Sequence, residues 1–329
     1  MIEVSGNTKI YMMCPPQTAT GGPELLHQLV SALSSKGFDI SIYYVPVQEN
    51  PVHENYLKYN CKFVTQIEDD PQNILIIPEA LLFKTKAFKH IRKCVWWLSI
   101  DNLFKYGLSP RFYQYIRRLG GENLFRKSVM IGEVKGKFDY HIAQSYYAID
   151  FLDKHGIKAG YLSDYLNTDF LQDSRQVDYN KKLPQVLYNP KKGIEFTKQI
   201  MAAYPEAKWI PLIGLKPAEV AELLKASMVY IDFGEHPGKD RFPREAAIYG
   251  CCVITGRKGS AANAGDVPIP EQYKIEDSAT QISTITNRIK ECCTAYSKHV
   301  NDFEAYRQKI YDEERVFIAD LDKIFQRHP

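Results

Sequence analysis

The start of the chain alternates in a way that leaves few folds open. "KIYMMC" (residues 9–14) is an apolar run of strand length. The polar loop "PPQTATGG" follows, and then "PELLHQLVSALSSKG", in which Leu25, Leu26, Leu29, Val30 and Leu33 fall at helical spacing. Pro23 suits the first helical position and Gly37 the stop. "ISIYYV" (40–45) then reads as a second strand. Two strands joined through a helix run parallel, and a parallel sheet needs helices on its faces. "NILII" (73–77), "CVWWL" (94–98) and "YHIA" (140–143) continue the series. A helix is predicted over 146–155, and "AGYLSDYL" gives a further strand or turn.

The stretch 167–183, "NTDFLQDSRQVDYNKKL", is polar and has no period, and reads as a linker. The alternation then restarts. Strands are predicted at 185–188, 209–212, 229–233 and 251–255, and helices at 194–203, 217–226 and 244–249. Helices over 279–296 and 302–325 close the chain. The expected fold class is therefore α/β, with tandem Rossmann-like units. The domains expected are 1–170, 184–305 and a C-terminal helix, 306–329, that crosses back to the first domain. Ligands of open parallel sheets bind outside the carboxyl ends of the strands, so a cleft between the units is the expected site.

Of the 329 residues, 45% are hydrophobic and 25% charged, as in an ordinary globular protein. The net charge of +3 is small for a chain built around nucleic-acid phosphates, so no nucleic-acid partner is expected. The seven cysteines are odd in number and irregularly spaced, which suits neither a disulfide framework nor a zinc site. The N-terminus lacks the pattern of a signal peptide, and no stretch has the length of a membrane span. A cytoplasmic protein is expected. Residues 111–127, "RFYQYIRRLGGENLFRK", interleave basic and aromatic side chains, which fits either a solvated helix face or contact with the inner face of an anionic membrane.

Candidate ligand residues gather where strands are expected to end. Gly21 and Gly22 let the backbone turn tightly ahead of a helix N-terminus, where free N–H groups could meet an anion. "YNPKKG" places Lys191 and Lys192 after the first strand of the second unit, where a cation could neutralise a diphosphate. The densest stretch is "DFGEHPGKDRFPREAAIYG" (232–250), with Glu235, His236, Lys239, Arg241 and Glu245. Here Pro243 is expected to start a helix, with Glu245 in its first turn, free to accept from ribose hydroxyls. The alternative reading of the same charges is a surface ion-pair cluster. "TGRKGSAANAG" (255–265) adds small residues, Ser260 among them, that let a backbone lie close to a ligand. In the first unit, "WWLSIDN" sets Trp97, Ser99 and Asn102 where a sugar ring could rest. Asp101 is its best-placed general base. No Asp-x-Asp, H-E-x-x-H or G-x-S-x-G motif occurs, so metal, protease and hydrolase readings lack support.

These features resemble glycosyltransferases of the GT-B fold, and most closely the group named glycosyl transferases group 1. The resemblance rests on "GGPE" after the first strand, "NPKKG" opening the second unit, and "REAAIYGCCVITG". In the last, Glu245-Ala246-Ala247, Gly250 and Val253-Ile254 match the second half of that group's typical segment. The first glutamate of the segment falls at Pro237, and Glu235 lies two residues before it. The resemblance implies a nucleotide-sugar donor as substrate, no cofactor and no metal. It implies a glycan or lipid-linked glycan as acceptor, as in polysaccharide biosynthesis. Donor contacts would come from Gly21, Gly22, Lys191, Lys192, Lys239, Arg241, Glu245 and Ser260. Catalytic roles would fall to Asp101, Glu235 and His236, and acceptor contacts to Trp97, Ser99 and Asn102. A non-catalytic sugar or nucleotide-binding module and a GT-B-like sugar-nucleotide epimerase are the alternatives.

Overall fold

The computed structural model describes residues 1–106, 131–132 and 134–328. The basic stretch at 111–127 lies outside the described residues. The chain divides into two compact units, Met1–Asp164 with Arg315–Pro329, and Tyr165–Glu314.

The first unit is built on β1 (Ile2–Val4), β2 (Lys9–Cys14), β3 (Asp39–Tyr44), β4 (Phe63–Val64), β5 (Ile74–Pro78), β6 (Arg92–Trp97), β7 (Tyr140–Ala143) and β8 (Gly160–Tyr161). Seven of these form a parallel sheet in the order β4-β3-β2-β5-β6-β7-β8. β5 is buried along its whole length, as a strand covered on both faces must be, and its "ILIIP" is apolar throughout. Helix α1 (Gly21–Ser35) turns Leu25, Leu26, Leu29, Val30 and Leu33 inward. It begins two residues before Pro23, with Thr20 as an extended N-cap whose side chain makes no capping bond. Its C-cap is Lys36, and the next residue, Gly37, has a φ of +79°, the left-handed conformation that glycine takes without strain. α2 (Ile100–Tyr106) follows β6 and α3 (Tyr146–Lys154) follows β7. From β2 the chain passes to β3 on one side, and later to β5 on the other. The topological switch thus falls at the carboxyl ends of β2 and β5.

The second unit opens with α4 (Thr168–Ser174) and a 3₁₀ turn at Tyr179–Lys181, where a featureless linker was expected. Asn167 caps α4 by accepting from Asp169 N at 3.0 Å, and Leu171 is buried, so one buried leucine and one cap suffice for a short helix. The sheet is β9 (Leu183–Tyr188), β10 (Lys208–Pro211), β11 (Ser227–Asp232) and β12 (Cys252–Thr255), parallel in the order β10-β9-β11-β12. Its switch point lies at the carboxyl ends of β9 and β11. The helices are α5 (Ile194–Ala203), α6 (Pro217–Ala226), α7 (Arg241–Ile248), α8 (Ile282–Thr294), α9 (Tyr296–His299) and α10 (Glu304–Ile324). Val186, Tyr230, Ile254, Leu224, Ile285 and Phe303 share one continuous core. The division between the units falls within α10, and the last strand, β13 (Phe325–Arg327), pairs in parallel with β1, Phe325 opposite Ile2. Among the described residues, no helix is long and apolar enough to cross a membrane.

Candidate functional site

In the second unit, the loops leaving β9 and β11 press together at the switch point. Gly193, the N-cap of α5, has a φ of +54°, and a Cβ there would strike the Phe233 carbonyl. A Cβ on Gly234 would strike Lys192. Glycine at both positions is what lets the loops touch. Lys191 is exposed, while Lys192 is half-buried and its Nζ is ion-paired with Asp240.

Asp232 ends β11 and is buried. It accepts from Tyr230 OH at 2.8 Å and from Gly234 N at 3.3 Å. His236 is fully enclosed, its Nε2 lying 3.4 Å from Asp232 Oδ1 and its Nδ1 2.7 Å from Asp240 Oδ2. Burial alone would lower the basicity of this imidazole. The carboxylates on its two nitrogens outweigh burial and push its pKa up to about 10. Burial would likewise raise the Asp232 carboxyl, but His236, Lys192 and Tyr230 hold it below its ordinary value. The order Lys192–Asp240–His236–Asp232 is thus a row of alternating charges running inward from the switch point. Among the described residues, Asp232, His236 and Asp240 are the group whose potential metal-ligand atoms lie within 4.8 Å of one another. Neither ring nitrogen of His236 faces solvent, so the residue fits a role in holding the loop.

Lys239 and Arg244 are buried and share Glu313 of α10, at 2.7 and 2.8 Å. Lys239 was expected to reach the donor, yet its ammonium points at this carboxylate. Arg244 Nη2 also donates to the Lys239 carbonyl at 3.3 Å, which fixes the turn before α7. Ser260 is buried and bonds backbone rather than open space. Its Oγ donates to Gly238 O at 2.5 Å, and its N–H to His236 O at 2.9 Å. Helix α7 begins at Arg241, so Glu245 is its fifth residue and lies in the second turn, a correction to the expected start at Pro243. Pro243 is tolerated because the N–H groups of a first turn have no helical partner. Arg241 Nε lies 3.2 Å from Glu245 Oε1, with Glu245 buried and Arg241 half-buried. Glu235 is exposed, 3.7 Å from Lys258 Nζ, and Lys258 also pairs with Asp277 at 3.1 Å.

In the first unit the carboxyl edge of the sheet brings together the start of α1, the end of β5 and the turn at 98–102. A Cβ on Gly22 would stand 3.8 Å from Leu98 Cδ1, so the glycine turn lies against that segment. Trp97 is wholly buried, its Nε1 donating to His141 Nδ1 at 3.2 Å. It is core, which corrects its expected place against a ligand. Burial pushes the His141 pKa down to about 4, so this acceptor stays neutral. Ser99 is buried and accepts from Asn102 N at 3.3 Å, starting α2, while Asp101 and Asn102 are half-buried on its first turn.

Beneath this turn lies Glu79, buried and missed by sequence reasoning. It accepts from Leu98 N at 2.9 Å. Burial raises its pKa to about 7 against the pull of that bond. The signal available was its position, directly after the apolar strand "NILIIP". Glu313, also missed, carried none, because a glutamate in a charged helix reads as solvent-facing.

No family model matches the chain, and no curated protein matches it. Among solved structures it is similar to a sucrose-phosphate synthase from Thermosynechococcus elongatus. The TM-score there is 0.67 at 13% identity, over 97% of this chain and 98% of that one. It is also similar to Anabaena HepE in complex with UDP and glucose, with a TM-score of 0.64 at 11% identity, over 97% and 99% of the chains. A glycosyltransferase from Rickettsia africae gives a TM-score of 0.62 at 12% identity, over 97% and 98%. At such identities the likeness is one of architecture, and it extends over nearly the whole of each chain. The protein has the GT-B fold, a pair of Rossmann-like units each carrying a parallel sheet.

Proposed function

We propose that the protein is a glycosyltransferase that takes its sugar from a nucleotide-sugar donor. The observation that carries this reading is the switch point of the second unit. There the partly exposed Lys192 pairs with Asp240, which also holds His236, and α7 begins beside them with Arg241 as its first residue. A diphosphate fits that place because it can compete for the lysine and arginine and accept from the free N–H groups of the helix start. The likeness to structures that hold UDP, or UDP-glucose, supports the same reading.

In this reading Lys192 and Arg241 face the diphosphate, and Glu245, oriented by Arg241, accepts from the ribose. The acceptor is a glycan or lipid-linked glycan that meets Ser99, Asp101 and Asn102 of the first unit. The acceptor oxygen bonds to the anomeric carbon as the bond from that carbon to the diphosphate breaks. The electron pair leaves with the nucleoside diphosphate, and the hydroxyl proton passes to Asp101. Lysine, arginine and helix-end N–H groups stabilise the leaving charge without a metal ion. The seven free cysteines fit a reducing, cytoplasmic setting.

A thermal-shift panel of UDP, ADP, GDP, CMP and dTDP tests the reading, because a ligand that binds only the folded form raises Tm. One nucleotide stabilising the wild type, and losing that effect in Glu245→Ala, is the expected result. No shift with any of the five sinks it.

A further inference from the structure

Asp240 stands at the N-cap of α7 and does not cap it. Its backbone is extended, as an N-cap requires, but its side chain makes no bond to the N–H groups of the first turn. Aspartate is among the residues best suited to that bond, so its absence needs a reason. The carboxylate turns to the neighbouring loops instead. Its Oδ2 pairs with Lys192 Nζ and lies 2.7 Å from His236 Nδ1.

The two partners differ in freedom. His236 is fully enclosed, whereas Lys192 is half-buried on a long, rotatable stem. Lys192 can therefore turn to another anion while His236 stays beside the carboxylate. A buried carboxylate stripped of every partner would resist such an exchange, and Asp240 is not stripped. Arg244 Nε donates to the Asp240 carbonyl at 3.3 Å, which keeps the backbone behind the carboxylate in place as Lys192 moves.

We propose that Asp240 is a built-in competitor for the diphosphate: it holds Lys192 until the donor arrives, yields it, and takes it back as the product leaves. Asp240 is a positioning residue, since it acts on the ligand through Lys192. Its role in release rests on the transferase reading, whereas the competition for Lys192 does not. Breaking the bond to the anomeric carbon leaves the electron pair on the diphosphate, so the product carries one more negative charge than the donor. A lysine with no other partner would then hold the product harder than the donor. A carboxylate within reach of the same ammonium offsets that excess.

Calorimetry with UDP and with inorganic pyrophosphate tests this on wild type, Asp240→Asn, Lys192→Met and the double variant. Asp240→Asn is expected to bind both ligands about ten-fold tighter, the low end of what a hydrogen bond between charged groups contributes. Damage to the site would weaken binding, so the sign of the change is diagnostic. The gain should vanish when Lys192 is already methionine, because the competition is for that lysine. Equal or weaker binding by Asp240→Asn overturns the competitor. So does a gain that persists without Lys192, which would report only the loss of a nearby negative charge. Should Asp240→Asn not fold, Asp240→Ser, an uncharged capping residue, serves with the same two expectations. Stopped-flow displacement of bound UDP reads the second half: the tighter binding should appear as slower dissociation, and a gain lying wholly in association overturns the role in release. A gain seen with pyrophosphate alone keeps the competitor and counts against UDP as the ligand. UDP binding by the wild type with no gain in the variant overturns the competitor and leaves the transferase reading standing.

Discussion

His236 gives the sharpest test of the charge row in the second unit. Its imidazole is expected to ionise near pH 10 when folded and near 6.5 when unfolded. A pKa raised by folding means that the folded state holds the extra proton, so this stabilisation is complete below pH 6.5 and disappears as pH rises through 10. Between those values each pH unit removes about 1.4 kcal/mol. From pH 7 to 9 the wild type should therefore lose about 3 kcal/mol that a variant without the imidazole does not lose. Urea unfolding of wild type and His236→Gln, followed across that range, isolates the difference, since every other titrating group is common to both. At pH 7 the variant should also be less stable by about 3–5 kcal/mol, because Asp232 stays buried without its counter-charge. The His236 Cε1 proton, followed by NMR, gives the midpoint directly. A midpoint at or below 6.5, or parallel stability curves, would refute an imidazolium held between Asp232 and Asp240.

Further outcomes follow from neighbouring residues. Lys192→Met should weaken the stabilising nucleoside diphosphate at least ten-fold in calorimetry while leaving the matching nucleoside less affected, since the lysine acts on phosphate charge. Glu313→Gln removes the carboxylate that the buried Lys239 and Arg244 share, and should lower stability by about 3 kcal/mol in chemical denaturation. Gly193→Ala combines a left-handed φ with a collision against the Phe233 carbonyl. It should destabilise by at least ~1 kcal/mol and abolish the nucleotide-induced rise in Tm.

The strands were legible because a parallel sheet covered on both faces needs unbroken apolar runs, and "NILII" or "CVWWL" can hardly be anything else. Burial of individual side chains was less so. "WWLSIDN" shows aromatics beside polar groups, but only the register of β6 decides that Trp97 enters the core while Ser99 starts a helix. The donor loop was conspicuous by its charges, yet sequence spacing does not tell charges that face a ligand from those that face each other. Lys239 and Arg244 belong to the second kind, tied to Glu313 some seventy residues later in the chain. The start of α7 was misplaced because Pro243 is as acceptable at the third helical position as at the first. The pairing of Ile2–Val4 with Phe325–Arg327 had no local signal, since its two halves stand at opposite ends of the sequence.

That last pairing bears on the order in which the protein is made. The second unit is one uninterrupted stretch, Tyr165–Glu314, whereas the first takes in Arg315–Pro329 as well. A ribosome therefore delivers every residue of the later unit before it delivers the strand that β1 awaits. The usual sequence, in which the N-terminal domain is finished first, is inverted here. During synthesis β1 stays without its partner strand until the last residues of the chain are delivered.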